Sequence, residues 1–273
     1  MTRVLCAAMG RRRIDFAREL GRGLSAYQDR LASWWLDRTA DAAHRRAYRR
    51  IADYIADSFP RPPRRITDYG CGAGHLLAQL ARRFPRARLS GYDASGPLLD
   101  SARRRLAFAG RRVDLAETVL PDSSLPRGAC DLVTMSFPNL LPPAPAGELR
   151  RCEQRLSGAE REAARALSAA GTDGYARLLY DRVLAHDVHR LLRRGGICVR
   201  VEYCGARRED IARRDLERLE LAEGSLADGA VRPFFRVVAS RYVRSRVIED
   251  VFQQSRRRAD RTGGYSITIL RSL

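Results

Sequence analysis

Residues 66–74 read Ile-Thr-Asp-Tyr-Gly-Cys-Gly-Ala-Gly, and residues 89–93 read Leu-Ser-Gly-Tyr-Asp. The first stretch reads as a short strand, residues 65–69, that ends in a glycine-rich turn. Glycines let a backbone turn sharply and approach a ligand closely. Leu76, Leu77, Leu80 and Phe84 then recur on one side, which predicts a helix over 75–84. Its N-terminus would offer N–H groups that have no partner within the helix. A second strand, 87–92, delivers Asp93. A carboxylate at that place suits a ribose diol, because it accepts two hydroxyl hydrogen bonds.

The general dinucleotide pattern would be G-x-G-x-x-G. Here the run is Gly70-x-Gly72-x-Gly74, with Asp68 two residues ahead of it. It resembles the first motif of the class I S-adenosylmethionine-dependent methyltransferases, D/E-x-G-x-G-x-G, and Asp93 follows at the expected spacing. The resemblance covers about residues 64–205. It implies S-adenosyl-L-methionine as cofactor, with Gly70, Gly72 and Gly74 shaping the turn against its methionine part. By the same resemblance Asp68 receives the amino group, directly or through water, and Asp93 takes the ribose hydroxyls. Glu117 is the choice for bracketing the adenine, with Thr118 and Asp122 as alternatives. Ser136 and the residues after it face the methyl group. The implied fold is α/β, a seven-stranded, mostly parallel, Rossmann-like sheet with helices on both faces. Its strand order would be 3-2-1-4-5-7-6, with the seventh strand antiparallel.

The pattern along the chain agrees with alternating strands and helices. Ser95 can cap a helix running to about residue 109, with Pro97 in its first turn. Strands are expected at 113–119, 131–137, 197–203, 234–243 and 265–270, and a long helix at about 175–192. Residues 1–63 read as a helical N-terminal extension ended by Pro60, Pro62 and Pro63, and residues 64–273 as the methyltransferase domain. An insertion at about 142–172 follows the fourth strand, where Ser157 and Glu160 form a capping-box pattern for an extra helix over 159–169. Extension and insertion are read as a substrate cover.

His75, Asn139, Glu202 and Tyr203 are the candidate catalytic residues. His75 starts the helix after the glycine turn, and Glu202 and Tyr203 end the fifth strand at the same sheet edge. Glu202 would need a raised pKa or a positioned proton to act as a base. Ser136-Phe137-Pro138-Asn139 departs from the Asn/Asp/Ser-Pro-Pro-aromatic motif of amino-directed nucleic-acid methyltransferases. Asn139 either orients a substrate or serves a proline-rich turn. Tyr27, Trp35, Phe137 and Asn139 are the candidate substrate contacts, with packing as the other reading for the N-terminal aromatics. His186, Asp187 and His189 share a helix but lack a clear third metal ligand, so no metal is expected.

The 273 residues carry 51 basic against 32 acidic residues, a formal charge of +19, and contain no lysine. Drift toward arginine codons explains the missing lysines but not the shortage of acids. A positive field attracts anionic partners, and arginine grips phosphate or carboxylate in bidentate fashion. The six cysteines form no C-x-x-C pair and read as small buried hydrophobes. No apolar run approaches the roughly 20 residues that span a bilayer, and a cytoplasmic location is expected. The acceptor is expected to be a small molecule of specialised, natural-product metabolism, with an anionic or phosphate-bearing one accounting for the arginines. An RNA- or protein-modifying methyltransferase is the alternative, and a non-catalytic cofactor-binding or scaffold relative the second. Acceptor atom and oligomeric state are not written in the sequence.

Overall fold

Alternating apolar strands and amphipathic helices assemble into one seven-stranded sheet in a computed structural model that describes residues 28, 30–119, 125–137, 146–170, 174–204, 234–245 and 264–273. The helices α1 (Arg30–Thr39) and α2 (Ala42–Asp57) precede the strand β1 (Arg65–Tyr69). Then follow α3 (His75–Arg83), β2 (Arg88–Asp93), α4 (Gly96–Leu106), β3 (Val113–Glu117) and β4 (Cys130–Ser136). Three helices come next, α5 (Ala146–Arg155), α6 (Gly158–Ala169) and α7 (Tyr175–Leu191). The strands β5 (Leu192–Cys204), β6 (Phe235–Arg244) and β7 (Gly264–Ser272) complete the chain. The order is β3-β2-β1-β4-β5-β7-β6, with β7 antiparallel to both of its neighbours. The order and the antiparallel strand are those implied by the resemblance.

Successive strand residues point to opposite faces of a sheet. Ile66, Leu89, Leu132 and Val199 therefore join one core with α2, α3 and α4. Tyr69, Val133, Met135 and Cys198 join the other with α5, α6 and α7. Each fully buried aliphatic side chain contributes about 1.5–3 kcal/mol by leaving water. On α3, Leu76, Leu77 and Leu80 are all buried, while Arg82 and Arg83 in the last turn complement the helix dipole.

Local signals explain most boundaries. Ser95 caps α4 through the Leu98 N–H, with proline in the first turn. Ser157 and Glu160 close a complete capping box at α6. The strand expected at 197–203 is longer in the structure and begins at Leu192. Its regular pairing does start at Ile197, because the register against β4 jumps from Cys130↔Leu192 to Leu132↔Ile197. The intervening Gly195 has φ 71°, so Arg193–Gly196 bulges out. Helix α5 was not expected, and α1 and α2 bear out helical structure for the described part of the N-terminal stretch.

Candidate active site at the carboxyl edge of the sheet

The turn after β1 is built by its glycines. Gly70, Gly72 and Gly74 have φ of 82°, 50° and 73°, the left-handed region that side chains rarely adopt. Their surroundings differ. A methyl group on Gly74 would lie 2.9 Å from Ala102 Cβ, so this glycine lets α3 and α4 pack closely. A methyl on Gly70 or Gly72 would meet nothing within 4 Å. Open space beside two left-handed residues is a cradle for a ligand.

Two carboxylates border the cradle. Asp93 Oδ2 accepts the Gly72 N–H at 2.7 Å and Oδ1 accepts the Ser95 N–H at 3.0 Å. Asp93 thus stitches the turn to the start of α4, and each oxygen keeps a lone pair for a further donor. Burial raises its pKa, against these backbone hydrogen bonds. Asp68 is fully buried at the end of β1. Its Oδ1 accepts the Thr134 hydroxyl at 2.7 Å, and its Oδ2 has no hydrogen-bond partner among the described residues. Burial, opposed by Thr134 and helped by the Asp93 charge, pushes the Asp68 carboxyl up to about 7. An unpaired buried carboxylate oxygen is costly, and a bound cation offsets the cost. The ammonium group of S-adenosylmethionine fits the unpaired Asp68 oxygen, and its ribose hydroxyls are donors of the kind that Asp93 accepts.

Glu117 ends β3 opposite Asp93. Gln28 donates to the Ala94 carbonyl at 2.6 Å and lies 3.4 Å from Glu117 Oε1. It therefore ties the N-terminal stretch to the same edge, and nothing in its sequence neighbourhood signalled it. Thr134 was missed too, although its place in β4, paired with Asp68, is a consequence of strand order.

Ser136 is the last residue of β4. Phe137 follows with φ 50°, the non-glycine residue with positive φ among those described. Such strain persists only where the surroundings hold it. The Phe137 N–H donates to the Val201 carbonyl at 2.8 Å, and its ring meets His44, Tyr48 and Tyr265 edge-on. Tyr48 in turn stacks on His75, centroids 5.4 Å apart and planes 8° apart. Burial, then the nearby Arg105 charge, lowers His75 to about 3, so the imidazole is neutral at ordinary pH. Its Nε2 has no hydrogen-bond partner among the described residues. Burial also raises the Tyr48 phenol, and the Asp68 charge adds to that. His44 and Tyr48 lie four apart on α2, so one helix face carries both rings. That spacing was the available signal for them.

The other sequence candidates are placed as follows. Trp35 is buried in a packed cluster with Trp34, Leu31, Ala73 and Leu98, beside the glycine turn. Glu202 accepts from Arg200 at 2.7 Å. Arg200 in turn lies 3.8 Å from Asp181, which Arg177 approaches to 3.0 Å. Burial alone would lower the Arg200 pKa, but Glu202 and Asp181 outweigh it and hold it above its usual value. Tyr203 pairs with Tyr265 across the β5–β7 ladder. Tyr27, Asn139 and Asp122 lie outside the described residues. Among the described residues no group of three or more His, Cys, Asp or Glu side chains is placed to hold a metal ion. Among them also, no helix is long and apolar enough to cross a membrane. Cys71, Cys130, Cys152 and Cys198 are buried thiols that form no disulfide among the described residues.

Residues 66–158 match a family model described as a methyltransferase domain. That stretch, from β1 through the start of α6, is similar to a methyltransferase domain, and the sheet around it has the Rossmann-like fold. A trans-aconitate 2-methyltransferase of Rhodococcus jostii is 42% identical over 65 residues, 24% of this chain and 26% of that protein. A demethylmenaquinone methyltransferase of Thermus thermophilus is 36% identical over 77 residues, 28% of this chain and 35% of that one. The matched stretches thus span about a quarter to a third of these curated relatives. Among solved structures, the 4+2 cyclase SpnF superposes with a TM-score of 0.53 at 17% identity, covering 85% of this chain and 84% of that one. The geranyl diphosphate C-methyltransferase from Streptomyces coelicolor A3(2) superposes with a TM-score of 0.50 at 13% identity, covering 86% and 85%. These likenesses establish the fold.

Proposed function

We propose that this protein is an S-adenosylmethionine-dependent enzyme that methylates a small molecule. The observation that carries the reading is the open cradle at Gly70 and Gly72 set against the unpaired Asp68 Oδ2. Gly70, Gly72, Asp68 and Asp93 would hold the cofactor, with Glu117 at its adenine end. When bound, S-adenosylmethionine supplies a methyl group on a cationic sulfur, open to attack by an acceptor atom. The protein's own contribution is placement. Holding an acceptor in line with that methyl removes the entropy of a chance encounter. Phe137, locked in its strained conformation, and Tyr48 on α2 give the acceptor a rigid apolar wall and exclude water. His75 offers a neutral imidazole nitrogen to orient an acceptor hydroxyl or N–H.

The finer reading is an anionic or phosphate-bearing acceptor in specialised metabolism. It is supported by the charge of +19 and by relatives whose names include trans-aconitate and geranyl diphosphate. The cyclase among the structural neighbours is a reminder that one fold hosts several chemistries. A basic surface also favours an RNA substrate as second reading.

Calorimetric titration with S-adenosylmethionine, at low and high salt and with RNA as competitor, tests the reading. Saturable binding that is insensitive to salt and RNA supports it. No binding would refute it, and binding that needs RNA and vanishes in salt would shift the acceptor to nucleic acid. His75→Ala should then lower turnover with a found acceptor while leaving cofactor affinity intact. An equal loss of both would remove His75 from the acceptor side.

A further inference from the structure

A cavity of ≈ 410 Å³ lies against the last turns of α7, lined by Arg127, Arg155, His186, Asp187, His189 and Arg190, with Leu192 at its base. Its place in the fold sets it apart from the cradle. Leu192 and its partner Cys130 begin two parallel strands, so the cavity sits toward the amino ends of the strands. The glycine turn follows the carboxyl end of β1. A ligand here is neither the proposed cofactor nor its acceptor.

The lining is organised. Asp187 is buried to 1% exposure and both its oxygens are used. Its Oδ1 takes Arg155 at 2.5 Å and its Oδ2 accepts the Tyr69 hydroxyl at 3.3 Å. That pair holds Arg155 in the lining. Arg190 donates to the Leu125 carbonyl, and the Gly128 N–H donates to the Arg190 carbonyl at 2.8 Å. These two bonds tie the turn that carries Arg127 to the end of α7. Arg127 itself is exposed and makes no ion pair among the described residues. The rings of His186 and His189 pack on Phe234 at 4.5 and 4.9 Å, which fixes that wall.

The charges do not cancel. Among the described lining residues, three unit-charged guanidiniums stand against one carboxylate. The carbonyl end of α7 opposes an anion with about half a unit charge, which is smaller. Guanidinium forks match the paired oxygens of phosphate and carboxylate. The volume falls in the range of small-molecule sites and exceeds what one phosphate fills. We propose that this cavity is a second ligand site, for a small polyanion bearing adjacent oxyanion groups, such as a diphosphate or a polycarboxylate.

The test is a calorimetric titration of pyrophosphate, and separately of citrate, into the full chain at physiological salt. The titration contains no S-adenosylmethionine, so its result stands whatever the methyl-transfer assay gives. Saturable one-site binding is expected, weakened roughly tenfold or more by Arg127→Gln, a loss of about 1.4 kcal/mol or more. Among the described residues the exposed Arg127 makes no hydrogen bond or ion pair, so the variant should keep the wild-type melting temperature. The exposed Arg86, far along the chain, serves as control for the general positive field. An equal loss in Arg86→Gln, unchanged binding in Arg127→Gln, or no saturable binding of either anion would each overturn the proposal. Displacement of both anions by an RNA oligonucleotide at far lower concentration would overturn it in favour of a nucleic-acid surface.

Discussion

The two faces of this sheet hold their strongest buried charges differently. Above the α2–α3 face, the buried Asp68 and the half-buried His75 each have a buried atom without a hydrogen-bond partner among the described residues. Across the sheet, α6 and α7 carry close buried ion pairs, although Asp181 Oδ1 and Arg190 Nε there also have no direct hydrogen-bond partner among the described residues. Arg182, 2% exposed, pairs with Glu160 at 2.6 Å, and Glu160 also binds His186 at 2.7 Å. A folded protein tolerates an unpaired buried polar group where a ligand completes it, and pairs the rest for stability. The contrast assigns Asp68 and His75 to the cofactor edge and the Glu160–Arg182 pair to stability, and it can be broken by substitution.

The largest effect is expected on the structural side. Glu160→Ala takes the carboxylate away from the buried Arg182 and removes half of the capping box. It should cost about 3–5 kcal/mol of unfolding free energy, read by urea denaturation, and leave S-adenosylmethionine affinity unchanged. An affinity loss matching the stability loss would mean the two faces are not separate. The His186, Ser157 and Arg182 hydrogen bonds outweigh burial and hold Glu160 below the usual carboxylate range. Its contribution should therefore be present above the ordinary pKa of about 4 and fade only in stronger acid.

Asp68 should behave with the opposite sign. Its folded pKa of about 7 lies above the ordinary 3.8. The folded state therefore holds its proton longer than the unfolded chain does. Without cofactor, stability should fall as pH rises from about 4 to about 7, by up to ~4 kcal/mol. Asp68→Asn should flatten that slope, and a slope left intact in the variant would remove Asp68 as its source. Since the charged form attracts a cation, S-adenosylmethionine affinity of the wild type should rise across the same interval.

Asp93→Ala should weaken cofactor binding by ~2 kcal/mol or more, because a charged acceptor is lost. The Gly72 and Ser95 N–H groups lose their acceptor as well, so the melting temperature should drop with it. Unchanged affinity in calorimetry would take Asp93 out of the site. The smallest effect belongs to Ser157→Ala. Loss of the cap at α6 should cost about 1 kcal/mol of stability and nothing in cofactor binding.

Much of this was legible from local chemistry. The glycines at 70, 72 and 74 could be read because only glycine adopts those turns without strain. The caps at Ser95 and Ser157 could be read because their partners lie three residues away. Apolar alternation located the strands to within a few residues, except where Arg193–Gly196 bulges at the start of β5. Glu202 was legible as a sheet-edge carboxylate but not as the partner of Arg200, which a two-residue spacing on a strand places on the same side.

The sequence alone determined the class of fold, the glycine turn and the two carboxylates beside it, because those depend on backbone conformation and short spacings. Only the tertiary structure decided that Thr134 grips Asp68, that Tyr48 lies flat on His75, and that Arg127, Arg155 and Arg190 share one cavity. Such contacts join residues tens of positions apart. They are set by strand order and by how helices pack on the sheet, and no local pattern carries that information.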